Sequence, residues 1–316
     1  MNDHEATEIE LTVVVVSYNT RDLTLRALET LFANAGQVTM HVVVWDNASA
    51  DGSADAIADA FPQVELIRSP DNVGFAQANN EVIERIDTEH VLLLNPDTET
   101  HPNAIANLLQ FARKNPTAGI VGGRTVFPDG SLNIASCWNR ITLWSLFCRA
   151  VGLTSLFPDS TLFNPEAIGG WQRDSVRHVD IVVGCFLMAQ TRVWKELGGF
   201  RTKYFMFGEE ADLCLRAKAA GYDPMITPDA QIMHLVGASY TASQERVVKV
   251  LRGRTTLIRD HWPKWKVPLG LFLVWFASAT RLSFSRLKPD AGTAADSPRD
   301  KWDYVWQQRS EWLKGY

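Results

Sequence analysis

Several short polar clusters in this chain combine residue types that could hold a nucleotide and move a proton. Ser17-Tyr18-Asn19, Asp46-Asn47-Ala48-Ser49-Ala50-Asp51-Gly52-Ser53 and Asn95-Pro96-Asp97 each follow an apolar run. An aspartate such as Asp46 can accept from a base N–H or a ribose hydroxyl, and a ring such as Tyr18 can stack on a base. Asp97 is a hard oxygen donor suited to a divalent cation. Further on, Glu209-Glu210 sets two carboxylates at what reads as a helix start, where the macrodipole favours negative charge. That pair either charges a helix end or supplies a general base for a hydroxyl proton. His234 adds an imidazole 24 residues after Glu210. Singly these features are ordinary: Asp46-Asn47 reads as turn chemistry, and a lone histidine usually serves structure. Three clusters after three strand-like runs carry more weight than any one.

The elements that must hold these clusters are written in the hydrophobic periodicity. Leu11–Ser17 (LTVVVVS) is an unbroken β-branched run, which predicts a strand buried on both faces. Thr20 stands as N-cap to a helix with Leu23, Ala27, Leu28 and Leu31 along one stripe. Strands are predicted over 41–45, 64–68 and 91–94, and helices over 53–61, 76–86 and 102–114. This alternation predicts an α/β fold with a parallel sheet of right-handed βαβ units and ligands beyond the strands' carboxyl ends. The chain has neither GxGxxG after the first strand nor GxxxxGK[ST]. Nucleotide binding would then fall to side chains rather than to a glycine-rich phosphate cradle.

From 126 to 178 the periodicity weakens, and Trp138, Trp144, Phe147, Phe157, Phe163 and Trp171 are scattered among Pro, Gly and Asn. This predicts an insertion with short helices or a second small apolar cluster. Strand character returns over 179–189, a short segment runs from 230 to His234, and a helix over 209–220 is ended by Gly221. Residues 244–261 predict a basic helix. The apolar stretch 267–280, between Lys266 and Arg281, is short for a membrane span. A linker over 290–299 and a Trp-rich helix over 301–316 complete the chain.

With 316 residues, 46% hydrophobic and 21% charged, the chain suits one large α/β domain with an extension. That composition excludes disordered, collagen-like and polytopic membrane classes. The acidic opening, with Asp3, Glu5, Glu8 and Glu10, predicts no cleavable signal peptide. Four cysteines without a CxxC pair speak against a zinc site or disulfide framework and for a reducing cytosolic compartment. The net charge of −5 is uneven: residues 244–288 hold ten Lys/Arg and two Asp/Glu, a balance of +8, leaving −13 elsewhere. An acidic body with a basic tail does not suit a nucleic-acid binder. It suits a body handling metal ions and a tail near anionic lipid.

Seven motifs then occur in order: VVVVSYN (13–19), VWDNASADGS (44–53), NVGFAQANN (72–80), LLLNPDT (92–98), GCFLMAQTRVWKELGGF (184–200), FMFGEEADLCLRA (205–217) and MHLVGAS (233–239). The chain resembles the inverting family 2 glycosyltransferases of the GT-A fold, and within them the rhamnosyltransferase-like branch. The resemblance spans roughly residues 11–260. It implies a GT-A catalytic domain over 1–243, with a nucleotide-binding half over 11–126 and an acceptor-side half over 127–243. A basic, aromatic-rich helical extension over 244–316 follows.

By the same resemblance, Ser17, Tyr18, Asn19 and Asp46 face the nucleoside, with Asp46 contacting the base and Tyr18 packing on it. Asn72 and Gly74 through Asn80, including Asn79, form a wall near the diphosphate and donor sugar. The family's Asp-x-Asp metal motif is Asn95-Pro96-Asp97 here, one acid short, with Asp97 at the metal-binding position. His234 matches a family histidine that completes the site for Mg²⁺ or Mn²⁺. Glu210 stands where the family has an aspartate general base, and Glu209 and Asp212 belong to the acceptor side. Arg216 reads as an ion-pair partner.

The implied reaction moves L-rhamnose from dTDP-L-rhamnose, with inversion, to a hydroxyl of a glycan or lipid-linked glycan in cell-surface polysaccharide synthesis. UDP-hexose, UDP-galactofuranose and GDP-sugar donors stay open. The rivals are a nucleotidyltransferase, whose basic glycine-rich loop is missing from SYNTRD, and a catalytically dead binder, to which Asn95 and Glu210 lend some support. Residues 267–280 either help the basic tail dock on the inner face of the cell membrane or pack on protein, including a second copy in a homo-oligomer.

Overall fold

The computed structural model describes residues 9–235, 243–287 and 297–316. Gly237 and Ser239 of the histidine motif, Lys288 and most of the expected linker lie outside the described residues.

The apolar runs form the strands they predict. β1 (Leu11–Ser17), β2 (Met40–Asp46), β3 (Glu65–Arg68) and β4 (His90–Leu94) are parallel, in the order β3-β2-β1-β4. β1 pairs with β2 from Leu11↔Met40 to Ser17↔Asp46, so both strands finish level at one carboxyl edge. The helices α1 (Arg21–Asn34), α2 (Ser53–Ala60) and α3 (Gly74–Ile83) connect them. Strand alternation then builds two apolar layers. Val13 and Val15 pack with Leu28, Leu31, Ile105 and Leu108 on one face, and Val14 packs with Ala78, Val82, Ile83 and Leu213 on the other. Each such side chain contributes roughly 1.5–3 kcal/mol by leaving water.

Beyond β4 the sheet is mixed, in keeping with the mostly parallel central sheet flanked by helices that the GT-A resemblance implies. β5 (Thr98–Thr100), α4 (Ala104–Lys114) and β6 (Ile120–Val126) come next in the chain. The insertion holds β7 (Leu132–Asn133), β8 (Cys137–Trp138), α5 (Leu143–Ala150), α6 (Leu153–Leu156), β9 (Arg177–His178) and β10 (Ile181–Val182). It returns the chain as β11 (Phe186–Gln190), antiparallel to both β4 and β6. After α7 (Thr191–Glu196) and α8 (Glu209–Ala219), β12 (Met225–His234) runs parallel to β6 and antiparallel to β5. Sequence periodicity showed only the end of β12. Its register shifts between Thr227 and Gln231, where Pro228 cannot donate and the pattern reads as a turn.

The C-terminal helices are α9 (Ser243–His261), α10 (Val267–Leu287), α11 (Pro298–Gln307) and α12 (Arg309–Lys314). They share an apolar core with α5, built from Leu146, Val248, Ile258, Val274, Val305 and Trp312. α10 has 21 residues, not the 14 of the apolar stretch. Within it Ser278, Thr280, Ser283 and Ser285 return their hydroxyls to carbonyls three or four residues back, so these polar side chains are satisfied inside the helix. By length and composition α10 could cross a membrane, which corrects the expectation of a stretch too short to span; a third of its most apolar window is buried. The four cysteines are buried and free.

Candidate active site

At the carboxyl edge of β1 and β2 the loops are tied by side chains. Asn19 adopts a left-handed conformation (φ 52°). Its backbone N–H donates to Ser49 Oγ, and its Oδ1 accepts from the Ala50 N–H. Asp51 accepts from the Arg21 N–H and caps Ser53. Asn47 donates to Asn72 Oδ1 and accepts from the Val73 N–H, both at 2.9 Å, which joins the loops after β2 and β3. Asn72 also accepts from the Gly74 N–H. Above this frame Tyr18 is half exposed (48%). Asp46 is buried; Oδ2 accepts from the Ser49 N–H and Oδ1 has no hydrogen-bond partner. A buried acceptor left open beside an exposed ring is the arrangement a nucleobase could complete.

After β4, Asn95 donates its N–H to the Cys185 carbonyl, and Thr98 donates to the Asn95 carbonyl. Asp97 and His234 come together from β4 and β12. His234 Nε2 lies 3.3 Å from Asp97 Oδ1, with both side chains less than a tenth exposed. Burial works against the imidazolium while Cys185 and Asp97 beside it favour it, and the balance pushes its pKa up to about 10. Nδ1 of His234 has no partner. Two ligands on one Mg²⁺-sized cation, bonded at about 2.1 Å and at a right angle, stand about 3 Å apart. As it stands the contact is an ion pair; a cation taking Asp97 Oδ1 and His234 Nε2 as neighbouring ligands would have to displace the imidazolium proton between them. Among the described residues no group of three or more His, Cys, Asp or Glu is placed to hold a metal ion.

α8 opens on a strained turn. Phe207 (φ 68°) and Gly208 (φ 110°) are both left-handed, and Gly208 donates to Glu210 Oε2. Phe207 has a Cβ that disfavours this conformation, so the surroundings must hold it. They do: a Cβ on Gly253 of α9 would meet the Phe207 carbonyl at 2.0 Å, and Tyr316 donates its hydroxyl to the Met206 carbonyl at 2.6 Å. Tyr204 donates to Asp260. The turn thus places Glu209 inward and leaves Glu210 only partly buried. Burial, and then the Glu210 carboxylate, hold Glu209 well above the usual carboxylate range; its Oε2 has no partner. Burial also raises Glu210. A Cβ on Gly184 would stand 3.5 Å from Phe75 and 3.9 Å from the Glu210 Cβ. Glu210 therefore borders the Gly184-Cys185 segment, whose other side meets Asn95 and His234. Phe205 closes on Gly74, where a Cβ would meet its ring at 3.1 Å.

Three expected contact residues turn out to be supports. Ser17 is wholly buried, its hydroxyl among those of Thr20 and Thr24; Thr20 is the N-cap of α1 without a capping side-chain bond. Asn79 is wholly buried and donates back to the Phe75 carbonyl. Asp212 is wholly buried between Arg201, Arg216 and His261, so it orders α8 rather than facing an acceptor. Arg216 also donates to the Leu197 and Gly199 carbonyls, the structural role its spacing suggested. Sequence reasoning passed over Asn47 as turn chemistry, and over Gly253 and Tyr316 because they lie outside the expected catalytic domain.

Residues 12–179, more than half of the chain, match the model of glycosyl transferase family 2. The chain belongs to this family: it is a GT-A glycosyltransferase. It is 28% identical over 236 residues to an N-acetylglucosaminyl-diphospho-decaprenol L-rhamnosyltransferase of Mycobacterium tuberculosis, covering 71% of this chain and 75% of that one. It is 24% identical over 213 residues to the low-salt glycan biosynthesis hexosyltransferase Agl10 of Haloferax volcanii, covering 66% and 62%. Among solved structures, a mannosyltransferase of Pyrobaculum calidifontis in complex with GDP-Man and Mn²⁺ aligns over 96% of this chain and 87% of its own, with a TM-score of 0.58 and 19% identity.

Proposed function

We propose that this glycosyltransferase moves L-rhamnose from dTDP-L-rhamnose, with inversion, onto a hydroxyl of a lipid-linked glycan, at the cytoplasmic face of the cell membrane. The observation that carries the reading is the placement of Glu210 across the Gly184-Cys185 segment from the Asp97–His234 pair. In this reading a base and a cation-binding pair flank one donor site. The likeness to a rhamnosyltransferase acting on a diphospho-decaprenol acceptor supports the choice of sugar and acceptor.

In this reading Tyr18 packs on the base, and the open Oδ1 of Asp46 accepts from its N–H. Asn72 and the start of α3 border the diphosphate. Asp97 and His234 would hold Mg²⁺ or Mn²⁺, which when bound neutralises the leaving diphosphate as a Lewis acid. Glu210 accepts the proton of the acceptor hydroxyl while the nucleotide leaves from the opposite face of the sugar. Its raised pKa brings it nearer the working pH, where a general base is most effective.

Thermal shift with dTDP-rhamnose, UDP-glucose, UDP-galactofuranose and GDP-mannose, each with and without Mn²⁺, tests donor and cation together. Stabilisation is expected with dTDP-rhamnose, more so with Mn²⁺, and the Mn²⁺ increment disappears in Asp97→Ala. Equal stabilisation by every donor would overturn the rhamnose assignment. Insensitivity to Mn²⁺, EDTA and Asp97→Ala would overturn the cation site.

A further inference from the structure

Away from Glu210 and the Asp97–His234 pair, α5, α9, α10 and α11 line a half-open cavity of about 670 Å³. Its wall is cationic and apolar at once. Arg149, Arg246, Arg254, Arg281 and Lys301 reach it, and no carboxylate is among the described residues that line it. Between these cations lie Leu146, Val247, Val250, Val274 and Trp302.

The positive charge is only partly compensated. Behind the wall, buried Glu166 takes both terminal nitrogens of Arg254, and Arg149 stands 3.7 Å from the same carboxylate. Arg281 donates to the Ala277 carbonyl and lies over the Trp302 ring, neither of which cancels its charge. The Arg254 guanidinium, together with burial, holds Arg149 down to about 10. Burial and the same guanidinium lower Arg281. Crowded, desolvated guanidiniums are costly unless an anion joins them. A free anion would leave the apolar wall unused, and a plain hydrocarbon would leave the charge unanswered.

We propose that this cavity seats the phosphate end and first isoprenoid units of a polyprenyl-phosphate-linked acceptor. The assignment rests on the reading of the chain as an enzyme that uses a lipid-linked acceptor, and it names where that acceptor is held. The cavity has the size of an ordinary small-ligand site. Arg246 links its wall to the turn before α8: its guanidinium lies 6.0 Å from the Phe207 ring, two residues before Glu209. A phosphate at the Arg246 end would leave the attached sugar directed toward the turn that carries Glu210. The outward faces of α5 and α10 expose Phe147, Phe272 and Phe284, suited to the lipid from which such a chain would enter.

Titration calorimetry with farnesyl diphosphate, inorganic pyrophosphate and farnesol, without donor, separates the sources of affinity. Farnesyl diphosphate is expected to bind at least tenfold more tightly than either of the others. Arg281→Gln and Lys301→Glu, each checked for folding by circular dichroism, should each weaken it at least tenfold. Pyrophosphate binding as tightly as farnesyl diphosphate would leave only an anion site and overturn the proposal. So would farnesol binding as tightly, or wild-type affinity in the folded variants. Binding of dTDP-rhamnose without farnesyl diphosphate would sink this inference alone. Binding of farnesyl diphosphate without any nucleotide sugar would support the site and sink the donor reading instead.

Discussion

Glu209 and Glu210 are adjacent in sequence and differ in what surrounds them. Glu209 is the more enclosed, with one oxygen unpartnered. Its folded pKa is raised by burial first and the Glu210 carboxylate second, so the native state binds more protons than the unfolded one above the ordinary glutamate value of about 4.3. The stability associated with protonated Glu209 is full below that value and is lost as pH rises through its folded pKa. Glu209→Gln keeps the shape and removes the charge. Its melting temperature is expected to exceed that of the wild type at pH 8, by about 2–4 °C for each kcal/mol recovered, with the gap closing toward pH 4.5. Scanning calorimetry at the two pH values checks this; a gap that widens on acidification would contradict it. The two carboxylates were legible in the sequence, as was the pairing of Asp97 with His234 through the family motifs. The inward turn of Glu209 was not, because it depends on a left-handed Phe207 that no local pattern announces.

Elements set that turn. α9 packs on it through Gly253, where any side chain would collide with the Phe207 carbonyl, and the C-terminal Tyr316 bonds the neighbouring carbonyl of Met206. The helical extension is therefore part of the support for the turn that carries Glu210. Gly253→Ala is expected to cost about 1–3 kcal/mol of stability, as overpacking does, and to slow transfer at least tenfold while donor binding persists. Urea unfolding and a transfer assay measure both; wild-type stability with wild-type rate would show that the helix does not hold the turn. The first half of the sheet was readable because β1, β2 and β4 are buried on both faces and written as unbroken apolar runs. In the second half, strand character over 179–189 and at the end of β12 was readable, but the direction of β11 and the full course of β12 were not. β11 arrives antiparallel from an insertion of irregular composition, and β12 is interrupted at Thr227-Pro228-Asp229. β5 is three residues long, two of them threonine.

At the scale of the molecule, acid and base are segregated. The body carries the carboxylates, and residues 244–288 carry +8. The described part of that segment presents Trp265, Phe272 and Phe284 outward beside Lys264, Lys266 and Arg286. Basic side chains near anionic lipid contribute about 1 kcal/mol each, and aromatic rings favour the interface. The protein is expected to sediment with phosphatidylglycerol vesicles and to be released at least in part by 1 M salt. Failure of the folded protein to bind these vesicles at low salt would return the segment to protein packing. Retention of all bound protein in 1 M salt would instead favour insertion of α10 over electrostatic docking.

Proton transfer from the acceptor hydroxyl to Glu210 is the step on which the proposed function depends. Its most direct test is the single-turnover rate of sugar transfer by Glu210→Gln, at saturating donor and acceptor, with folding verified. An amide keeps the size and hydrogen bonding of the side chain but cannot accept the proton. A rate at least about 100-fold below wild type, with donor affinity retained, is the predicted result. A rate within a few-fold of wild type would contradict the account and move the base elsewhere, with Glu209 the first residue to examine.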